Sequence, residues 1–186
     1  MKNYLLHFHE VNKHRWRVFT LMCRAGFPFQ GLIHDLSKYS PTEFKESAKF
    51  FVNKYTSPIA NAMNKQGYSL AWLHHKGRNK HHPAYWFDIN APLKAPIIPF
   101  KYCVEMICDR IAACKGYKGK GYKDIEPYYY WNKTRDKEYL NRKIQSFITE
   151  VLELLGVHGE KIVINKKYLK KIYDKCIKMT RKDLNE

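Results

Sequence analysis

Six histidines and two aspartates fall in short clusters along this chain: His14, the pair His34-Asp35, the pair His74-His75, the pair His81-His82, and Asp109. Imidazole nitrogens and carboxylate oxygens together suit divalent first-row metals, namely Mn, Fe, Co, Ni or Zn. One carboxylate can bridge two ions while histidines complete each coordination sphere. A metal also lowers the pKa of its bound water, which makes a nucleophile near neutral pH. The chemistry expected is therefore metal-assisted, with one or two ions.

Each member also has a plainer reading. His14, alone on a mostly polar helix, reads more readily as a surface histidine than as a ligand. His34-Asp35 follows the apolar run Gly31-Leu32-Ile33 and precedes Leu36, so it lies at a core-facing helix end. There, ligation and structural hydrogen bonding are equal readings. The string HHKGRNKHH at 74–82 reads equally as a solvated basic patch. Asp109 sits among Met106, Ile107, Ile111 and Ala112, where a carboxylate needs a cation, a metal or hydrogen bonds. Glu105, one turn earlier, is placed to orient a ligand. Lys38 shares a helical face with His34 if that helix continues. Arg78 and Lys80 flank the histidines and are candidates for phosphate oxygens, or a solvated loop. Tyr85 and Trp86 read as core packing more than as a stacking platform. The loop GYKGKGYK at 116–123 lacks the GK[ST] of a phosphate-binding loop. EPYYYW at 126–131 packs or stacks; its residues do not choose between the two.

The elements that must position these groups are helical by periodicity. A long helix is expected over 3–25, with Leu6, Trp16, Val18, Phe19 and Met22 as apolar positions, ended by Gly26 and Pro28. A short helix over 28–36 follows. Ser40, Pro41 and Glu43 form a capping box for a helix presenting Phe44, Ala48, Phe51 and Val52. Ser57-Pro58 opens a helix running to about Lys76, and prolines break up 83–99. Further helices are expected over 99–115, near 135–155 with a C-cap at Gly156, and over 165–180. KIVI at 161–164 is the one β-like run. The fold expected is all-α, with a metal-binding core over 1–115. A basic loop and C-terminal helices over 116–186 pack on it within one domain.

The 186 residues carry 34 Lys and Arg against 17 Asp and Glu, a net charge of +17. Such a field attracts polyanions, although its spread along the chain fits a solvated surface better than one specific patch. No apolar run approaches the roughly 20 residues of a membrane span. The opening MKNYLLHFHEVNKHR has charges where a signal peptide needs an apolar core. Five scattered cysteines without CxxC spacing argue against a disulfide framework or zinc ribbon. A reduced, cytoplasmic protein is expected.

Taken in order, His … His-Asp … His … His … Asp resembles the HD-domain superfamily of metal-dependent phosphohydrolases. The resemblance implies an HD-like helical bundle in which His14, His34, Asp35 and Asp109 surround a metal, and intervening histidines add a second. HDLSK at 34–38 is similar to the signature of the superfamily's cyclic-dinucleotide phosphodiesterases, which implies a phosphate contact for Lys38. The blocks HDLSKYSPTEF (34–44), AWLHHKGRNKHHPAYW (71–86) and EMICDRIA (105–112) also resemble an uncharacterised family of small bacterial and phage proteins. Its pattern favours His14 over His7 or His9, and His75 over His74. His82 shares a face with His75 only if the helix persists through Gly77, and His81 is the alternate. Lys80 replaces the usual proline and Arg110 the usual tryptophan, each adding positive charge beside the site.

Three functions follow as expectations. The first is a phosphohydrolase acting on a nucleotide or other phosphorylated small molecule. Its metals would be held by His14, His34, Asp35, His75, His82 and Asp109, with Asp35 and Lys38 catalytic and Lys38, Arg78 and Lys80 binding substrate. The second is a di-iron oxygenase on the same scaffold. The third is a nucleic-acid-binding module without catalysis, suggested by charge and fourteen tyrosines.

Overall fold

The computed structural model describes residues 2–180. The fold is all-α: eleven α-helices and no strand occur among the described residues. They are α1 (Lys2–Arg24), α2 (Pro28–Ile33), α3 (Pro41–Lys49), α4 (Pro58–Gln66), α5 (Leu70–Lys76), α6 (Pro83–Trp86), α7 (Phe100–Lys118), α8 (Glu126–Thr134), α9 (Arg142–His158), α10 (Glu160–Val163) and α11 (Lys166–Ile177). No helix among the described residues is long and apolar enough to cross a membrane.

Helix α7 is the axis of the molecule. Val104, Ile107, Cys108, Ile111 and Ala112 are fully buried, and its burial runs nearly all round. It packs against α1 on one side and α8, α9 and α11 on others. Val18 and Met22 of α1 join it in one apolar cluster with Trp131, Phe147, Ile148, Val151 and Leu152. The core is therefore wider than the 1–115 expected from sequence. Helices α9 and α11 contribute one side of it, because the apolar stripe of α9 has no other place to be buried.

Helix α2 crosses α1 closely at Gly31. A Cβ there would lie 2.6 Å from Met22 Cβ and 3.2 Å from the Phe19 backbone. That contact fixes where the chain leaves α2, and so where His34 and Asp35 sit.

Several sequence-based expectations are corrected. The helix expected from Ser57 to Lys76 is two helices. Gly67 takes a left-handed conformation (φ 82°) that ends α4, and Ser69 caps α5 by accepting from Trp72 N–H. Leu6 and Trp16 are exposed, and α3 ends at Lys49, leaving Val52 exposed. The start of the 116–123 loop is helical, since α7 continues to Lys118. EPYYYW lies in a helix, with Trp131 fully buried. KIVI falls in the turn of α10, not a strand. Gly156 lies inside α9 against Ile125, and Gly159 (φ 78°) is the C-cap.

Candidate metal centre

Helix α2 stops at Ile33 because the backbone turns sharply. His34 is extended (φ −51°, ψ 130°) and Asp35 is left-handed (φ 54°, ψ 26°). Asp35 is the one non-glycine residue with positive φ among the described residues. Aspartate tolerates this region better than most residues, at some cost, and such outliers cluster at functional sites. Arg15 of α1 holds the turn. Its Nε donates to the His34 carbonyl (2.8 Å), Nη2 to the Leu32 carbonyl (2.7 Å) and Nη1 to the Tyr39 hydroxyl (3.0 Å). Tyr39 in turn donates to Asn12 Oδ1 at 2.7 Å. The helix expected to continue to 36 therefore does not, and Lys38 shares no helical face with His34. A 3-10 turn over Leu36–Tyr39 instead brings Lys38 Nζ to 2.7 Å from Asp35 Oδ2.

The two oxygens of Asp35 face two different groups of imidazoles. Oδ1 lies 3.3 Å from His75 Nε2 and 3.4 Å from His81 Nε2. Oδ2 lies 3.2 Å from His34 Nε2 and 4.0 Å from His14 Nε2. Asp109 Oδ1 completes the second group, 2.9 Å from His14 Nε2 and 3.7 Å from His34 Nε2. Two sets of four donors result: Asp35, His75, His81 and His82, and His14, His34, Asp35 and Asp109. Within each set the atoms lie within 4.8 Å of one another.

These atoms converge without bonding each other. Among the described residues, His14 Nε2, His34 Nε2, Asp35 Oδ1, His81 Nε2 and His82 Nε2 are buried and have no hydrogen-bond partner. His14 Nε2 and Asp109 Oδ1 are the closest of these atoms, 2.9 Å apart. An unsatisfied buried polar atom costs about 1–3 kcal/mol, and five in one cluster require an explanation. A shared cation is one, so the donor set fits one or two divalent metals in number, type and convergence.

A second layer of carboxylates sets the tautomers. Glu105 Oε1 accepts from His34 Nδ1 (2.8 Å) and lies 3.2 Å from His81 Nδ1. Glu43 Oε2 accepts from His75 Nδ1 at 2.7 Å. An ionised carboxylate only accepts, so each bonded Nδ1 carries a proton and Nε2 is the atom turned toward the cluster. Glu105, expected to orient a ligand, contacts the His34 and His81 rings. Glu43 was expected in a capping box, and only half of that forms. Ser40 Oγ accepts from Glu43 N–H, but the Glu43 carboxylate goes to the histidines instead.

Charge is concentrated here. Burial opposes ionisation of Asp35, yet His34, Lys38 and His75 outweigh it and hold its pKa well below the usual carboxylate range. Burial likewise opposes Asp109, and His14 and His34 overcome it. Glu105 is drawn down to about 2 by His34 and His81 against the effect of burial. Burial opposes a charge on His34, but Asp35, Asp109 and Glu105 hold its pKa well above the usual value. Burial and the nearby His81 and His75 keep His82 well below it. Three ionised carboxylates at one point demand positive charge among them.

His81 and His82 arrive by a different route from the one expected. Helix α5 ends at Lys76, with Gly77 as its C-cap, so no helix carries His75 and His82 on one face. The loop from 77 to 82 folds back instead. Asn79 Nδ2 donates to the His75 carbonyl and to Ser37 Oγ, each at 2.8 Å. Both His81 and His82 then reach the centre, so the alternate His81 is a member alongside His82. His74 is not; its Nδ1 meets Glu43 Oε1 at 2.6 Å.

A cavity of about 260 Å³ opens onto this centre, reaching Asp35, His14, His75, His82, Asp109 and Lys38. Arg78 and Lys80 are exposed and do not line it. Lys80 instead lies over the Tyr85 and Tyr102 rings, and Trp86 Nε1 donates to the Lys80 carbonyl. Arg110 leaves on the far side of α7, where its Nη2 bonds both oxygens of Glu138, so its charge is not beside the site. The basic residues lining the cavity are Arg17, Lys38 and Lys54. Arg17 and Lys54 stand outside the clusters that single out the other candidates, so spacing gave no signal for them.

No curated protein and no solved structure gives a significant match to the chain. A family profile matches residues 3–154, which contain every residue of the centre. The chain belongs to this family, a family of unknown function (DUF5662).

Proposed function

We propose that this protein is a divalent-metal-dependent phosphohydrolase of the HD type that hydrolyses a phosphate ester of a small molecule. The observation that carries the reading is Asp35, whose two oxygens each face a separate group of imidazole nitrogens, those of His14 and His34 on one side and of His81 and His82 on the other being buried and unpartnered. When bound, divalent ions at such a centre supply Lewis acidity and lower the pKa of coordinated water toward neutrality. His14, His34, Asp35 and Asp109 would hold one ion, and Asp35, His75, His81 and His82 the other. Glu105 and Glu43 fix the rings that present Nε2.

Lys38 is the residue that turns the reading toward phosphate. Burial works against its ammonium, but Asp35 and Asp109 keep its pKa above the usual lysine value. It is thus a permanent cation beside Asp35 in the cavity, where it binds a phosphoryl oxygen and stabilises negative charge as the P–O bond breaks. The products are an alcohol and inorganic phosphate. Five unpaired cysteines suit a reducing cytoplasm.

The test is elemental analysis of protein purified without a histidine tag, beside the His34→Ala/Asp35→Ala variant. One or two equivalents of Mn, Fe, Co, Ni or Zn are expected in the wild type and none in the variant. Phosphate release from a phosphomonoester panel should follow the metal content. No metal after reconstitution with all five ions would overturn the reading. Iron with oxygen consumption and no phosphate release would replace it with an oxygenase.

A further inference from the structure

The cavity extends outward beyond the metal centre, and its outer part carries its own chemistry. Asp35 and His75 at the inner end are 2% exposed, whereas Arg17 is half-buried and Lys54 and Tyr117 are exposed. Val11, Phe51 and Trp72 supply apolar wall between the charged groups. Arg17 follows His14 by three residues on α1, so both leave the same side of the helix. Among the described residues, neither Arg17 nor Lys54 makes an ion pair. Lys54 Nζ rests 5.0 Å from the Tyr55 ring.

Gly116 faces the Arg17 head, and a Cβ there would come within 3.3 Å of Nη1. A glycine at this point of α7 leaves room for the guanidinium. Ser57 and Tyr117 add hydroxyls to the same wall, and the first turn of α4 adds partial positive charge. The half-buried Arg17 guanidinium has no carboxylate partner among the described residues, and its fork suits a carboxylate or phosphate.

We infer that Arg17, with Lys54, forms a second anion subsite, so that the substrate is a compact molecule with an anionic group at each end. One end is the phosphate ester facing the metal centre; the other is a carboxylate or second phosphate against Arg17. The inner end rests on the phosphohydrolase reading, and the outer subsite rests on Arg17, Lys54 and Gly116. A cavity of about 260 Å³ that opens to solvent holds a compact body between the two ends.

The test is calorimetric binding to the full chain, with and without Mn²⁺. The probes are phenylphosphonate, 4-carboxyphenylphosphonate and 1,4-phenylenebisphosphonate, none of which needs turnover. The second anion should tighten binding by about tenfold or more. Arg17→Gln should reduce that ratio to under about twofold, and Lys54→Gln should reduce it in part. The larger of the two gains distinguishes a carboxylate from a second phosphate. Equal affinity for all three probes, a ratio that survives Arg17→Gln, or no binding of any probe overturns the subsite. If the ratio behaves as expected and no phosphate ester is hydrolysed, the hydrolase reading fails and the anion subsite stands. Thermal melting of both variants within a few degrees of wild type shows that the ratio reads binding and not folding.

Discussion

Asp35 is held in a backbone conformation that costs about 1–3 kcal/mol, and its carboxylate is turned inward as a result. The Arg15 guanidinium over-determines that turn through three hydrogen bonds. Glu105 acts one step back, through the rings of His34 and His81. Glu105→Gln should therefore lower Mn²⁺ affinity by about 10–100-fold while the fold persists, as a competition assay with a fluorescent chelator would report. An unchanged affinity would remove Glu105 from its positioning role. A residue outside the donor set adds its own response to acid. His7 is buried against Phe44 and Phe51, and burial, followed by the charge of Lys38, lowers its pKa from 6.5 to about 4. Between those values the unfolded chain binds the extra proton, so stability is lost as pH falls from 6.5 toward 4. The loss is about 1–3 kcal/mol after allowance for screening. His7→Phe should narrow the gap between urea midpoints at pH 7 and pH 4.5; an undiminished gap would assign the acid lability elsewhere.

Among the elements, the close crossing of α1 and α2 matters most, because it places the His34-Asp35 turn over α7. Gly31→Ala puts a methyl 2.6 Å from Met22 Cβ, with the Phe19 backbone also in the way. It should destabilise the fold by about 1–3 kcal/mol in denaturant unfolding and weaken metal retention with it. Stability within about 0.5 kcal/mol of wild type would mean that α2 can shift away without cost. Helix α5 shows the opposite strategy. It ends early, and a six-residue loop stapled by Asn79 delivers His81 and His82. Helix α7 is rigid and buried, which suits the element carrying both Glu105 and Asp109, one turn apart, toward α1 and α2.

For the whole molecule, the centre joins α1, the turn after α2, α5 and its loop, and α7, which are far apart in sequence. A metal that binds only this folded arrangement must stabilise it. At a free Mn²⁺ concentration 100 times the dissociation constant, the gain is about 2.7 kcal/mol. The melting temperature should rise by several degrees with Mn²⁺ and fall again with a chelator. The His34→Ala/Asp35→Ala variant should show neither change; an equal rise in it would place the ion elsewhere. The net charge of +17 attracts anions toward the molecule, and Arg17, Lys38 and Lys54 line the cavity.

The sequence by itself determined the all-α class, the helix α1, the N-caps at Ser40 and Ser57, and six of the seven residues that converge at the centre. The class, the helix and the caps depend on local rules, periodicity and capping chemistry, and His34, Asp35 and Asp109 on the scarcity of uncompensated His and Asp beside apolar runs; His14, His75 and His82 came from the resemblance to known motif patterns. It left His81 as an alternate and gave a helical route from His34 to Lys38 that does not exist. Both misreadings share a cause. Continuing a helix through Leu36 or Gly77 satisfies local propensity, whereas the real chain breaks it, because Arg15, Asn79 and Ser37 hold the freed backbone from a distance. Glu43 reads as a capping residue for the same reason, since its histidine partners lie some thirty residues away. Only the tertiary structure decided that Asp35 faces two groups of imidazoles, that Arg110 is neutralised by Glu138, and that Arg17 and not Arg78 lines the cavity. Direction in space follows from how helices cross, and the crossing is set by contacts such as Gly31 on Met22 that no local pattern encodes.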